Sequence, residues 1–394
     1  MLPGLLLAVS LRAAHELVGA GVLPALTRDL GGDALAGGFF AVFSAASALG
    51  ILCGGWLADR SGPARTFAGG LAGFALGMLA TASAPTMELV IAARGLEGFA
   101  AGMLSCIVSA VVMRAYDDTA RPRVLALLAA AWVVPGLVAP SSAVAAAALF
   151  GWRAVFYGLV PLVALSGALA LPRLLQIDRG ADAARTASSR SVLADGALRA
   201  ALATRGLVVF AFFGVEAFLP LALERVRGAT QLEYGALLTL SAVFWTAGAF
   251  AEARWHARIG PTASARLGTL GLALGIAFAS LALMGALPIA GALLAWSLAG
   301  LGMGIAYQAA TAAAMRTSSA GSEGATGAAL GITDALTIAL ATALCGAFLG
   351  AAPLVRGETP VTLLAGFALA ATLGLGSLAS AAGLRAAAPA ERSP

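Results

Sequence analysis

Long apolar runs alternate along this chain with short breaks that carry charge, glycine or proline. A helix needs roughly 20 apolar residues to cross the hydrocarbon core of a bilayer, and runs of that length fill most of the sequence. Bounded by charges and Gly/Pro turns, they predict twelve spans near 2–26, 34–58, 66–84, 87–113, 122–149, 152–172, 201–223, 232–252, 264–284, 287–311, 324–350 and 359–384. The tightest connection is 284–287. The stretch 173–205 breaks the pattern, being rich in Arg, Asp, Ser and Ala with no long apolar run. It divides the chain into an N-terminal six-helix bundle over 1–172, a linker over 173–200, and a C-terminal six-helix bundle with a short tail over 201–394.

The two halves also echo one another. The break after the second span reads Gly54-Gly55-Trp56-Leu57-Ala58-Asp59-Arg60-Ser61-Gly62-Pro63-Ala64-Arg65. Half a chain-length later comes Trp255-His256-Ala257-Arg258-Ile259-Gly260-Pro261, which sets Arg60 on Arg258, Gly62 on Gly260 and Pro63 on Pro261. A chain that repeats its membrane-edge loop at half length is built as two similar bundles.

Composition narrows the class. The chain is 60% hydrophobic and 11% charged, and a protein in water cannot bury that much apolar surface while keeping a charged exterior. All 24 basic residues are arginine and the formal charge is +5. No arginine cluster is interleaved with stacking aromatics, so the charge implies no nucleic-acid partner; it fits loops that face an anionic leaflet. With the N-terminus inside, the loops at 59–66, 114–121, 173–205, 252–266 and 312–323 and the tail hold most of the arginines. That places both termini in the cytoplasm of a cell whose plasma (inner) membrane holds the protein. Arg12, His15 and Glu16 interrupt the first apolar run, which reads as a retained span rather than a cleaved leader. Cys53, Cys106 and Cys345 all fall inside apolar runs, with neither disulfide nor metal-ligand spacing. No metal or organic cofactor is expected. Glycines spaced by four, such as Gly98/Gly102 and Gly271/Gly275, suit close helix packing in lipid. The Gly300-Leu301-Gly302-Met303-Gly304 run lies mid-span with no preceding strand, so it reads as packing and not as a nucleotide loop.

Four segments resemble the major facilitator superfamily, in order and over essentially the whole chain. Gly55-x-Leu57-Ala58-Asp59-Arg60-x-Gly62 is similar to the family's signature between helices 2 and 3, although Pro63 and Ala64 stand where basic residues usually follow. Arg94-Gly95-Leu96-Glu97-Gly98-Phe99-Ala100-Ala101-Gly102 is similar to the family's helix 4 motif, which is associated with proton coupling. Gly136-x-x-Ala139-Pro140, followed by Gly151-Trp152-Arg153-x-x-Phe156, matches in part the Gly-Pro motif of drug–proton antiporters. Glu16-x-x-x-x-Gly21-x-Leu23-Pro24 looks like the start of twelve-helix drug–proton antiporters of the arabinose-efflux permease group. The resemblance implies an all-α membrane fold of twelve transmembrane helices in two pseudo-symmetric bundles. It also implies a proton-driven transporter that works as a monomer, and gives Asp59, Arg60, Gly55 and Gly62 the role of a conformational latch at the cytoplasmic edge.

Ionisable groups inside spans are costly and usually functional. Arg12, His15, Glu16 and Gly19 fall at i, i+3, i+4 and i+7, which predicts one helix face turned into a central cavity. Glu16 lies about ten residues from the outer end of its span, ~15 Å deep, and Arg94 about seven residues from its own, ~10 Å deep, at ~1.5 Å per residue. Glu16, Arg94 and Glu97 are therefore expected to meet in a switchable cluster. Glu16 would be the protonation site, Arg94 its modulator and His15 a relay; the competing reading makes Arg94 and Glu97 a structural pair that locks helix 4. Glu216, followed by Pro220 as Glu16 is by Pro24, and Asp334 would bind a cationic substrate or a second proton. Arg12 is expected in the same substrate cavity. Trp132 and Trp245 either line it or pack at interfaces, and His256 is read as a solvated loop residue.

The sequence thus predicts proton-coupled efflux of a small organic compound, a drug or metabolite, with lipophilic cations favoured by the excess of buried acids. A proton symporter importing a sugar or other metabolite is the alternative. A membrane enzyme would need a catalytic set, and the sequence offers no His-Glu-x-x-His and no serine with a histidine partner in a span.

Overall fold

The computed structural model describes residues 1–116, 120–180, 195–318, 323–351 and 354–384. The middle of the expected linker and the expected tail lie outside the described residues. Among those described, the chain is helical. The helices are α1 (Leu2–Leu30), α2 (Ala36–Ser61), α3 (Pro63–Ser83), α4 (Met87–Ala115), α5 (Arg121–Phe150), α6 (Trp152–Gly180) and α7 (Gly196–Glu216). One long helix, Gln231–Leu283, follows, then α10 (Ile289–Arg316), α11 (Glu323–Gly350) and α12 (Val361–Ser380). At 53 residues the long helix would measure ~80 Å, far more than a bilayer. It is broken at Gly260, and the segments 231–259 and 261–283 are α8 and α9. Among the described residues, eleven apolar helices long enough to cross a membrane, one of them double, make the twelve expected spans. Helix covers both ends of the region expected as linker, through Gly180 in α6 and from Gly196 in α7.

The helix ends follow local chemistry. Proline occupies the first turn of α1, α3 and α5, where its missing N–H costs nothing. Thr86 accepts from the Leu89 N–H at the start of α4. Thr230 and Glu233 form a reciprocal capping box at the start of α8, the Glu233 carboxylate accepting from the Thr230 N–H at 2.7 Å and the Thr230 hydroxyl accepting from the Glu233 N–H at 3.3 Å. After Glu216 the chain continues as a short helix, Leu219–Ala222, and a π-helical turn, Leu223–Arg227. Pro220 has no N–H to continue the α7 ladder, which explains the break.

The repeated loop is a repeated backbone. Gly62 has φ 84° and ψ 152°, and Gly260 has φ 76° and ψ 167°. Both values fall in the region open essentially to glycine alone, and a proline follows each to start the next helix. Replacing Gly62 or Gly260 by alanine is expected to lower stability by about 1–3 kcal/mol. Thermal unfolding of the purified variants checks this, and an unchanged midpoint would mean that the turn relaxes without strain.

The chain divides into two compact units. The first is Met1–Ala187 with Ala229–Thr239 and Leu349–Pro353; the second is Ser188–Gly228, Leu240–Phe348 and Leu354–Pro394. In the first, α4 packs most extensively on α2 and α3, while α1 lies against α5 and α6. Its core holds Leu5, Phe67, Phe74, Leu104 and Ile107. In the second, α7 lies against α10 and α12.

Small residues set the closest approaches. Gly98 and Gly102 of α4 sit on the Phe43 and Ser47 carbonyls of α2. Gly300 and Gly304 of α10 sit on the Ser241 and Trp245 carbonyls of α8, while Gly302 between them meets Gly268 and Leu272 of α9. The Gly-x-Gly-x-Gly run thus serves two neighbours from two faces of one helix. Arg153, at the start of α6, pairs with Asp29 at the end of α1 and donates to the Ala84 carbonyl at 3.1 Å. The Trp152 indole N–H donates to the same Asp29 at 3.0 Å. Gly151-Trp152-Arg153 therefore acts as a clasp on the first unit.

Candidate functional site

Arg94 and Glu97 lie one turn apart on α4 and are 1% and 0% exposed. Helical spacing brings them together, and Arg94 Nη1 donates to Glu97 Oε2 at 2.7 Å. His15 of α1, also buried, reaches both: its Nε2 lies 2.7 Å from Glu97 Oε2 and 3.0 Å from Arg94 Nη1. Thr81 of α3 donates to Glu97 Oε1 at 2.5 Å. Arg94 Nε donates to the Phe39 carbonyl at 3.2 Å, and its guanidinium lies 4.4 Å and 4.2 Å from the ring centres of Phe39 and Phe43. Phe43, Phe74 and Phe156 surround the imidazole. Five helices, α1, α2, α3, α4 and α6, thus enclose one cation, one carboxylate and one imidazole.

The contacts of His15 Nε2 exclude each other. A guanidinium only donates, so Nε2 bonds Arg94 only while it carries no proton. A carboxylate only accepts, so Nε2 bonds Glu97 only while it carries one. Nδ1 lies 3.4 Å from the same Arg94 Nη1, so the position of a single proton decides which ring nitrogen is left to accept from Arg94 and whether Nε2 holds Glu97.

This arrangement corrects the expected α1 face. His15 turns into the core of its unit, whereas Arg12 and Glu16 pair with each other at 3.5 Å with side chains 21% and 20% exposed. Neighbouring residues on an α-helix differ by ~100° in direction, so His15 and Glu16 occupy different environments. The carboxylate that bonds Arg94 at 2.7 Å is Glu97. Gly19 is covered by Phe39 and Phe40 and faces no open cavity. Arg12 also lies 5.3 Å from the Trp132 ring centre, and both line a cavity of about 280 Å³ between α1, α4 and α5.

The second unit carries two further polar clusters. Glu216 of α7, 8% exposed, accepts from the Trp296 indole of α10 at 2.9 Å and from the Ser241 hydroxyl of α8 at 3.2 Å. Asp334 of α11 is held by Arg205 of α7, whose Nε donates to Oδ1 at 2.8 Å and Nη2 to Oδ2 at 2.6 Å. Tyr307 of α10 donates to Asp334 Oδ2 at 3.0 Å, and its ring lies 3.8 Å beneath the Arg205 guanidinium. Arg205 also donates to Thr311. Asp334 is therefore already matched by a cation through both oxygens. Trp245 packs among Phe212, Phe213 and Tyr307.

The repeat extends to these buried ties. Gly98 and Gly300 take equivalent places in their helix pairs, and that register puts Trp296 where Arg94 stands. Each crosses to the first helix of its own unit, Arg94 to His15 and Trp296 to Glu216. One unit makes the tie with a charge and the other with a neutral indole.

At the loop, Asp59 and Arg60 are exposed at the end of α2, with the Arg60 guanidinium 5.4 Å from the Trp56 ring centre. Gly55 faces Cys106 of α4, and Gly62 makes the turn. His256 is not a solvated loop residue. It lies in α8, bonded at 2.5 Å to Glu252 and at 2.5 Å to Arg316 of α10.

Arg205, Tyr307, Trp296 and Thr81 were not singled out from the sequence. Arg205 sits at the edge of the polar stretch 173–205 and reads there as one more loop arginine. It directly precedes the apolar run Gly206–Phe213 and falls inside the span expected at 201–223, and that was the signal that could have moved it out of the loop. Among the described residues, no three His, Cys, Asp or Glu side chains gather as a metal site.

Comparison with known proteins agrees with this geometry. A profile of the Major Facilitator Superfamily matches residues 5–344. A probable multidrug-efflux transporter of Mycobacterium tuberculosis is 27% identical over 161 residues, which is 41% of this chain and 34% of that protein's length. Among solved structures, a nucleoside transporter superposes with a TM-score of 0.76 at 14% identity, over 96% of this chain and 99% of the other. A bacterial homologue of the human lysosomal transporter Spinster gives 0.71 at 16% identity, over 97% and 95%. A D-xylose–proton symporter gives 0.70 at 14% identity, over 96% of each. These structural likenesses establish the fold.

Proposed function

Because this chain belongs to the Major Facilitator Superfamily, and is thus a multi-pass membrane transporter and not an enzyme, we propose that it is a proton-coupled secondary transporter of a small organic compound. The reading rests on His15, whose Nε2 has two mutually exclusive partners on α4. A group whose bonding depends on one proton can bias a helix contact between two arrangements. Glu16, adjacent in sequence and partly exposed, is the accessible site where the proton exchanges with solvent. Arg94 and Glu97 read its arrival through His15. Alternating access would come from movement of one bundle against the other, with Asp59, Arg60, Gly55 and Gly62 latching one state. Glu216 and Asp334 are second-unit anchors that respond to the same cycle. The arginine-rich loops support a plasma (inner) membrane protein with both termini in the cytoplasm and bundles over 1–172 and 201–394. A monomer is the working unit that the family resemblance implies.

Two directions have support. Export is favoured by similarity to a protein named for multidrug efflux, over 41% of this chain. Import is favoured by the Arg12–Glu16 pair, taken up below.

The test is proton movement into liposomes holding the purified protein and an internal pH dye, across cationic, neutral and anionic compounds. Compound-dependent proton movement is expected in the wild type. It should fall at least tenfold in Glu16→Gln and in His15→Gln while both variants remain folded. Wild-type proton signals in both would remove α1 from the coupling.

A further inference from the structure

We propose that the cavity between α1, α4 and α5 binds a small aromatic organic anion, with Arg12 as its counter-ion and Trp132 against its ring; this rests on the transporter reading above. The cavity's volume of about 280 Å³ equals roughly nine waters at ~30 Å³ each, the size of a single-ring acid. Its wall includes Leu104, Val108 and Leu128, and Arg12 is the charged residue in its lining. The acids of this unit are committed elsewhere. Glu97 is bonded to Arg94, His15 and Thr81, and Glu16 lies 3.5 Å from Arg12 but outside the lining. Among the described lining residues a cation in the cavity would therefore meet the Arg12 guanidinium and no carboxylate, which reverses the lipophilic-cation preference read from composition.

Two details support an acceptor ligand. Arg12 Nε is buried with no hydrogen-bond partner among the described residues, and a buried donor without an acceptor is costly. The 3.5 Å separation from Glu16 is long beside the ~2.7–2.9 Å of a well-made charge-assisted bond, so a ligand carboxylate can displace Glu16. The hydroxyls of Ser105 and Ser109 donate to backbone carbonyls, which leaves their oxygens as acceptors for a ligand hydroxyl. A hydroxylated aromatic acid satisfies all of these groups together.

The choice of anion fixes how proton and substrate are linked. When the substrate takes Arg12, Glu16 loses that counter-ion, and a carboxylate parted from its cation in an apolar surrounding is driven to take up a proton. By linkage, each ligand then favours the other, so they bind the same state and travel together.

The test uses three probes of one shape, 4-hydroxybenzoate, 4-hydroxybenzamide and 4-hydroxybenzylamine, bound to the full-length protein in nanodiscs at pH 7 and followed by ligand-observed NMR. The acid is expected to bind at least tenfold tighter than the amine. Arg12→Gln should lose at least tenfold in affinity for the acid, and Arg12→Lys, which keeps the charge, should lose less than Arg12→Gln. Thermal unfolding of both variants confirms that they are folded. Equal or tighter binding of the amine would overturn the proposal, as would wild-type affinity in Arg12→Gln or no binding of any probe. If none of the probes binds while other compounds still drive proton movement in the liposome assay, the cavity assignment fails and the transporter reading stands.

Discussion

Arg94→Met is expected to abolish proton-coupled transport and to cost roughly 3–5 kcal/mol of stability. The substitution keeps most of the volume between Phe39 and Phe43 but removes the cation. Glu97, 0% exposed, is then left in the membrane interior with Thr81 and His15, and the cost is that of an uncompensated buried charge, not of one missing hydrogen bond. The double variant Arg94→Met/Glu97→Gln removes both charges and should recover most of the stability without recovering transport. Thermal unfolding of the two singles and the double supplies the stability cycle, and liposome assays the activity. A single variant as stable as wild type would show that Glu97 finds another partner. A double variant that transports normally would reduce the cluster to scaffolding.

Gly102→Val is expected to prevent accumulation of folded protein. A Cβ at Gly102 runs into the Ser47 carbonyl and the Ile51 amide of α2, and backbone cannot step aside as a flexible side chain can. Overpacking usually costs about 1–3 kcal/mol; this clash should exceed that, because α2 and α4 would have to separate along their length. Gly304→Val should behave alike against the Trp245 carbonyl. Gly69→Ala, where a Cβ meets nothing within 4 Å, serves as the control and should be neutral. Normal yield and melting of Gly102→Val, by size-exclusion chromatography and thermal unfolding, would mean that the contact is looser than its geometry.

The twelve spans were legible because the bilayer imposes one length on every crossing, and a chain must repeat it. Gly62-Pro63 and Gly260-Pro261 were legible as turns because few residues adopt that backbone. The charge clusters were less so. His15 was expected on one face with Arg12 and Glu16, whereas it turns into the core and those two stay partly exposed, since spacing alone does not say which edge of an apolar helix meets solvent. Arg205 was missed because linear neighbours made it look like loop, and its partner Asp334 lies four helices away. Trp296 and Tyr307 gave no sign of their bonds: an aromatic in an apolar run reads as packing whether or not its polar atom reaches a carboxylate. His256 was misplaced for a related reason, its partner Arg316 coming from a helix that the loop reading did not consider.

The spacing of these partners along the chain has a consequence for biosynthesis. His15, Arg94 and Glu97 all lie in the first four helices, so their charges can be matched while the N-terminal spans are still leaving the ribosome. Helix α7 has no such company. It enters the bilayer with Arg205, whose partner Asp334 follows 129 residues later, and with Glu216, whose partners Ser241 and Trp296 follow 25 and 80 residues later. A charged residue near the middle of an inserting helix costs about 2.5–3.5 kcal/mol on the translocon scale. Until α10 and α11 arrive, that load is borne by the apolar side chains between the two, from Leu207 to Val215. The unbroken apolar run of α7 between those two charges is thus a requirement of its order of synthesis as much as of its place in the finished protein.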